Sequence, residues 1–209
     1  MKIAIDGPAA VGKTSLGRAL AHYLGCRFVE TGKMYRAVAL AFRRGIPLDA
    51  IRLEVTESER FLLNGEDVTD LLHTPDLDQG SSQAAALPEV RARLVELQRA
   101  IAEQGDIVME GRDIGTVVLP DADIKFYLTA SREVRARRRV EQRGRGEDYS
   151  STLEQLTIRD ARDSNRSIAP LKPARDAITM DTDQKSLSEV ISESIRMVKG
   201  RLGERWRGG

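Results

Sequence analysis

The sequence has few of the cysteine and histidine residues on which disulfide-rich and zinc-binding scaffolds depend. It contains one cysteine, Cys26, and two histidines in 209 residues. A single thiol cannot form an internal disulfide, and these side chains are too few for a four-ligand zinc cluster. Stability must therefore come from a hydrophobic core, which this length permits because a folded chain of such size hides roughly 70% of its unfolded surface.

The sequence also lacks long apolar runs and an excess of one charge. No run of about 18 apolar residues occurs, and no basic-then-apolar leader precedes the first strand-like segment. Lys and Arg number 33 against 32 Asp and Glu, a net charge of +1. The arginine-rich residues 132–145 lack the interleaved aromatic side chains of a nucleic-acid stripe. We expect a cytoplasmic monomer with no membrane and no nucleic-acid partner.

Short apolar runs alternate with helical patterns along the chain. The runs lie at residues 2–6, 27–30, 107–110, 124–128 and 177–181, and the helical patterns at 15–24, 90–103, 131–143 and 187–202. Strands that alternate with helices indicate a parallel sheet covered on both faces.

Three stretches interrupt this alternation. Residues 51–64 alternate apolar and polar positions and precede Asn64-Gly65, a strong hairpin signal, so they predict a small antiparallel insertion. The pairs Thr74-Pro75 and Leu87-Pro88 predict turns before the next long helix. Residues 144–151 mix glycines with charges and predict a mobile loop.

The clearest motif follows the first predicted strand. Residues 7–14 match G-x-x-x-x-G-K-S/T and open the first predicted helix, which is typical of a phosphate-binding P-loop. Its glycines let backbone N–H groups approach phosphate, Lys13 reaches the β- and γ-phosphates, and Thr14 offers its hydroxyl to Mg²⁺. The predicted ATP-binding residues are Gly7, Pro8, Ala9, Ala10, Val11, Gly12, Lys13, Thr14 and Ser15. Asp6 is either a charge near the metal or a polar group at a helix start.

Further motifs resemble the bacterial cytidylate kinase family. They lie at residues 31–36 (TGKMYR), 81–83 (SSQ), 110–118 (EGRDIGTVV), 120–122 (PDA), 159–166 (RDARDSNR) and 169–171 (APL). Together with the P-loop they cover nearly the whole chain in order. The resemblance implies transfer of the γ-phosphoryl group of ATP to CMP or dCMP with Mg²⁺, and small-molecule nucleotides as the only partners.

The resemblance also implies an α/β P-loop NTPase fold and an organisation of the chain. We expect a five-stranded parallel sheet flanked by helices, within one kinase domain over residues 1–209. Its core would comprise about residues 1–36, 86–142 and 159–209. A small antiparallel NMP-binding insertion would take up about residues 37–85, and a lid about residues 143–158.

The family pattern assigns acceptor residues one by one. The catalytic set it implies is Lys13, Arg36, Arg112 and Arg159. The implied CMP-binding set is Thr31, Tyr35, Arg36, Ser82, Arg91, Gly111, Arg112, Asp113, Arg159, Asp163 and Arg166. Arginine suits an acceptor phosphate because its planar fork pairs with two phosphate oxygens. Outside such motifs, each arginine would be interpreted as a solvated surface residue.

Asp113 is the predicted reader of the base. Cytosine offers an exocyclic amino donor where uracil presents a carbonyl oxygen, and a carboxylate is the natural acceptor for that donor. Two other interpretations stay open at this point. Asp113 could be a metal-site or helix-capping acid, and Ser82 could be a helix cap.

Two alternative functions also remain. One is a P-loop kinase for another small acceptor such as UMP, although that class gives no reason for the motif at residues 110–116. The other is a non-kinase NTPase or nucleotide switch, which would hydrolyse ATP with water and without a requirement for CMP.

Overall fold

The computed structural model describes residues 1–144 and 148–203. Their strands are β1 (Lys2–Asp6), β2 (Arg27–Glu30), β3 (Leu53–Val55), β4 (Phe61–Leu63), β5 (Glu66–Asp67), β6 (Ile107–Gly111), β7 (Ile124–Thr129) and β8 (Ile178–Asp181). Their α-helices are α1 (Lys13–Leu24), α2 (Thr31–Arg43), α3 (Pro75–Ala84), α4 (Pro88–Ala102), α5 (Arg132–Arg143), α6 (Tyr149–Ser164) and α7 (Leu187–Leu202). Two short 3₁₀ turns (Leu48–Ala50 and Thr69–His73) and one π-helix (Ile114–Val118) complete the description.

The larger sheet has five strands in the order β2-β6-β1-β7-β8. The pairs β1–β6, β1–β7 and β7–β8 are parallel. In the register of the first pair, Asp6 lies opposite Gly111, so the carboxyl ends of β1 and β6 meet at one edge. The predicted α/β fold with a five-stranded sheet is confirmed, and all five strand predictions from the apolar runs are correct.

The chain folds into two compact units. One comprises residues 1–28 and the chain from residue 105 onward, and the other residues 29–104. The predicted boundaries at 37–85 and 143–158 remain predictions. Residues 145–147 of the predicted lid lie outside the described residues. Helix α6 begins at Tyr149, and the Asp148 side chain caps it by accepting from the Ser151 N–H at 2.6 Å.

The core of the first unit forms where α1 packs on the sheet. Leu16 and Leu20 of α1 are fully buried and belong to one apolar cluster with Ile3, Ile5 and Phe126 of the central strands. α1 approaches Phe28 so closely that a Cβ added at its Gly17 would lie 2.3 Å from the ring. The P-loop is thereby anchored to a tightly packed helix and strand.

The second unit contains the predicted antiparallel insertion. β3, β4 and β5 form a three-stranded antiparallel sheet. Asn64 and Gly65 join β4 to β5 with positive φ angles of 50° and 85°, as the hairpin signal requires. Phe61 and Leu63 are buried on one face of this sheet, which follows from the period-two alternation of the strand.

None of the helices among residues 1–144 and 148–203 has the length and apolar character needed to cross a bilayer.

Candidate functional site

The P-loop has the backbone that its glycines predict. Gly7, with φ of 149°, lies so near β7 that a Cβ would be 2.4 Å from the Leu128 carbonyl oxygen. Gly12, with φ of 99°, directly precedes α1, and no side chain caps that helix. The loop therefore needs glycine at both positions, and it leads its backbone onto a helix N-terminus suited to an anion.

Lys13 is buried at the end of this loop. Its ammonium donates to the Pro8 carbonyl at 2.8 Å and lies 3.7 Å from Oε2 of Glu110. Burial lowers the pKa of Lys13 from its ordinary value, and the nearby Arg112 and Arg159 cations lower it further. An anion bound among these three cations would favour the charged form of Lys13.

Glu110 is a site residue that was not among those predicted from the sequence. It is buried near the end of β6, and the Thr14 hydroxyl donates to its Oε1 at 3.1 Å. A hydroxyl and a carboxylate are oxygen donors of the kind that Mg²⁺ takes, alongside the phosphates of its nucleotide. Thr14 and Glu110 thus fit a magnesium site. No sequence motif predicts this pair, because it depends on the pairing of β1 with β6, two strands that are far apart in the chain.

Asp6 resolves one of the open alternatives. Its two carboxylate oxygens accept from the backbone N–H groups of Ile114 and Gly115 at 2.8 and 2.7 Å. It therefore serves the start of the π-helix. Burial raises the pKa of Asp6 to about 7, against the effect of these two hydrogen bonds.

Asp113 precedes the same π-helix. It is buried, its φ and ψ are −149° and 26°, and its side chain does not cap the helix. The helix-capping interpretation of Asp113 is therefore wrong, since Asp6 serves that helix start.

Arg112 and Arg159 meet at one buried carboxylate. Asp163 Oδ2 lies 3.1 Å from Nε of Arg112 and 3.9 Å from Nε of Arg159. Burial alone would raise the pKa of Asp163, but the guanidinium groups of Arg112, Arg159 and Arg166 hold it below its usual range. Arg166 also donates to the Ala169 carbonyl at 2.8 Å. These predicted residues are thus held in one charged cluster, on α6 and just after β6 and α6.

The second unit brings together another group of predicted residues. Arg36 on α2 donates from Nη2 to Asp78 on α3 at 2.7 Å, and from Nη1 to the Leu72 carbonyl at 3.3 Å. Its buried Nε has no hydrogen-bond partner among the described residues. The guanidinium of Arg91 on α4 lies 6.0 Å from the ring centre of Tyr35.

Thr31 and Ser82 complete this second group. Thr31 is buried as the first residue of α2, and Ser82 is buried in the last turn of α3. The helix-cap interpretation of Ser82 is wrong, because α3 begins upstream of it, directly after Thr74, and ends at Ala84.

The sequence and the fold of this chain both resemble those of known proteins. A family profile described as cytidylate kinase matches residues 3–200. A cytidylate kinase of Mycobacterium leprae (strain Br4923) is 46% identical, over 98% of this chain and 98% of that protein. A cytidylate kinase of Desulfitobacterium hafniense (strain Y51) is 42% identical, over 97% and 94%. A crystal structure of an uncharacterized protein from Eubacterium ventriosum, 16% identical, shares the fold with a TM-score of 0.55 over 96% of this chain and 98% of that one.

Proposed function

The chain belongs to the cytidylate kinase family, and from that premise we propose that it transfers the γ-phosphoryl group of ATP to CMP or dCMP. The bond between the γ-phosphorus and the β–γ bridging oxygen breaks, and a bond forms between that phosphorus and an oxygen of the acceptor phosphate. The products are ADP and CDP or dCDP. The observation that carries the proposal is the cluster of the buried Lys13 with the partly buried Arg112 and Arg159, three cations whose mutual repulsion is relieved by a polyphosphate.

Each member of this cluster has a separate task in the transfer. Lys13 sits at the end of the P-loop, where the β- and γ-phosphates of ATP would lie, and its charge stabilises the oxygens of the moving group. Arg112 and Arg159, oriented by Asp163, neutralise charge on the moving phosphoryl group and the acceptor phosphate. Such a reaction needs positioning and charge neutralisation more than a strong base, because its transition state is loose.

Thr14 and Glu110 would hold Mg²⁺ beside the P-loop. The ion, when bound, neutralises charge on the β- and γ-phosphates. The Thr14 hydroxyl is already oriented by its hydrogen bond to Glu110, and Glu110 also lies next to the Lys13 ammonium. The protein therefore keeps these oxygen atoms in place without a further acidic cluster, and none that could bind a metal is present among the described residues.

The remaining predicted residues would select and hold the acceptor. In the first unit, Asp113 would accept from the cytosine amino group. In the second unit, Arg36 would bind acceptor phosphate with the guanidinium that Asp78 and the Leu72 carbonyl orient. Thr31, Tyr35, Ser82 and Arg91 would line the nucleoside, as the family pattern implies. Lid closure over residues 143–158 would exclude water from the donor.

The test is a coupled assay of ADP release with Mg·ATP alone, with added CMP and with added UMP. We expect ADP release to depend on CMP and to be slower with UMP. A Lys13→Ala variant with an unchanged circular dichroism spectrum should lose about 10²–10³-fold in rate, because it removes one charge from the transition state. ADP release that ignores CMP would favour an NTPase, and an equal or higher rate with UMP would favour the other kinase class.

A further inference from the structure

Asp6 holds both ends of the segment that carries Arg112 and Asp113. Its backbone lies opposite Gly111 in the register of β1 and β6. Its side chain accepts from the N–H groups of Ile114 and Gly115, at 2.8 and 2.7 Å. One residue therefore fixes the chain directly before and directly after a two-residue link.

This link needs external support. Asp113 has backbone angles that belong neither to a helix nor to a strand, and the five-residue π-helix that follows it is short. Asp6 satisfies two N–H groups at the start of that helix, which would otherwise be buried without acceptors, since Ile114 and Gly115 are themselves buried. The position of the link therefore depends on the carboxylate of Asp6.

We propose that Asp6 is a positioning residue for acceptor selectivity, because it fixes where the Asp113 carboxylate stands. The inference rests on the proposed function, in which Asp113 accepts from the cytosine amino group. Asp6 does not touch the acceptor in this scheme. It acts on the choice between CMP and UMP through the backbone of Ile114 and Gly115.

A carboxylate suits this position better than its amide counterpart. Two N–H donors point at Asp6, and a carboxylate offers an oxygen to each. An asparagine of the same shape offers one oxygen and one NH₂ group, so one of the two N–H groups would face another donor. The start of the π-helix would then move away, and Asp113 with it.

The experiment compares kcat/KM for CMP with kcat/KM for UMP in wild type and in Asp6→Asn, at one Mg·ATP concentration and at about pH 8, where Asp6 with its pKa of about 7 is mostly ionised. Asp6 adjoins the P-loop, so its replacement can also affect the donor. The ratio cancels that effect because both acceptors use the same donor. We expect the CMP:UMP ratio to fall by about tenfold or more, the loss expected for a weakened hydrogen bond to a charged group.

Asp123→Asn provides a matched control. Asp123 accepts from the backbone N–H of Lys2 at 2.7 Å, at the opposite end of the same strand. It makes the same kind of contact with β1 but does not touch the Arg112–Asp113 link. The CMP:UMP ratio of Asp123→Asn should equal that of wild type. If a general loss of stability in β1 caused the effect of Asp6→Asn, the ratio would fall in both variants.

The outcomes separate the two claims. A folded Asp6→Asn with the wild-type ratio overturns the role of Asp6 and leaves the kinase assignment standing. A wild-type enzyme that does not prefer CMP overturns the proposed function and this inference with it. If Asp6→Asn does not fold, Asp6→Glu keeps both oxygens but moves them by one methylene. It should also lower the ratio, and an unchanged ratio would again overturn the role.

Discussion

Arg135 on α5 donates from Nη2 to Oδ2 of Asp160 on α6 at 2.6 Å, and both side chains are largely shielded from water. The same guanidinium donates to the carbonyl of Ala9 in the P-loop at 3.2 Å and to that of Ala130 at 3.1 Å. Arg135 thus ties the phosphate loop to the helix that carries Arg159 and Asp163. No sequence motif distinguishes it, since it is one arginine among many in α5.

Replacing Arg135 with alanine should destabilise the protein by about 3–5 kcal/mol, because it leaves the largely shielded Asp160 carboxylate without its hydrogen-bonded counter-charge. The other carboxylate oxygen of Asp160 has no hydrogen-bond partner among the described residues, so no second hydrogen bond would hold the carboxylate once Arg135 is removed. Urea unfolding measures the effect, with Arg137→Ala as the control, since Arg137 is exposed on the same helix. Equal stability of the two variants would show that the pair contributes nothing.

Two helical glycines should respond to alanine with opposite signs. A Cβ at Gly17 would lie 2.3 Å from the Phe28 ring, whereas a Cβ at Gly200 in α7 would meet no atom within 4 Å. We expect Gly17→Ala to lose about 1–3 kcal/mol through overpacking. Gly200→Ala should gain about 0.5–1 kcal/mol through helix propensity. Thermal unfolding of both variants tests the packing of α1, and a stabilised Gly17→Ala would contradict it.

The stability of wild type should contain a pH-dependent contribution from Asp6. Burial raises its folded-state pKa from 3.8 to about 7. The charged or titratable groups that face Asp6 are Lys13, Asp113 and Tyr127. The folded state therefore binds this proton more tightly than the unfolded state. The contribution favours folding at low pH and declines as the pH rises from about 4 to about 7.

Asp6→Asn removes this titration, so the free energy of unfolding of the variant relative to wild type should increase between about pH 5 and about pH 8. Urea unfolding at the two values measures it. Asp67→Asn is the control, because hydrogen bonds from Thr69 and Arg60 lower the folded-state pKa of Asp67 to about 2. Both of its pKa values lie below the window, so its difference from wild type should stay constant. A constant difference for Asp6→Asn would contradict the raised pKa.

The sequence predicts those parts of the fold whose causes are local. The five strands of the large sheet follow from bounded apolar runs, and the hairpin at Asn64-Gly65 follows from a turn that needs positive φ. Leu87-Pro88 leads into α4 as predicted, but the prediction of a simple turn at Thr74-Pro75 was incomplete, because α3 begins at that proline. Proline suits the first helical position as well as a turn, so the dipeptide alone cannot distinguish them.

The contacts that organise the site are not local, and this is why they escaped prediction. Glu110 meets Thr14 across 96 positions of sequence, and Asp6 meets Ile114 across 108. Both contacts follow from the pairing of β1 with β6. A motif shows that Lys13 and Thr14 form a P-loop, but only the strand order shows which carboxylates lie beside them.

Asp113→Asn tests the identity of the base most directly. A carboxylate accepts from the cytosine amino group, whereas uracil presents a carbonyl oxygen there and would place one acceptor against another. The asparagine removes the charge and adds a donor, so kcat/KM for CMP should fall about 10–200-fold, as for a lost hydrogen bond of about 1.5–3 kcal/mol to a charged partner. The value for UMP should fall less or rise. Asp121→Asn serves as the control, because Asp121 is exposed and lies beyond the π-helix. If a folded Asp113→Asn keeps the CMP:UMP ratio of kcat/KM that wild type has, this carboxylate does not recognise the base. The metal-site interpretation of Asp113 would then take its place.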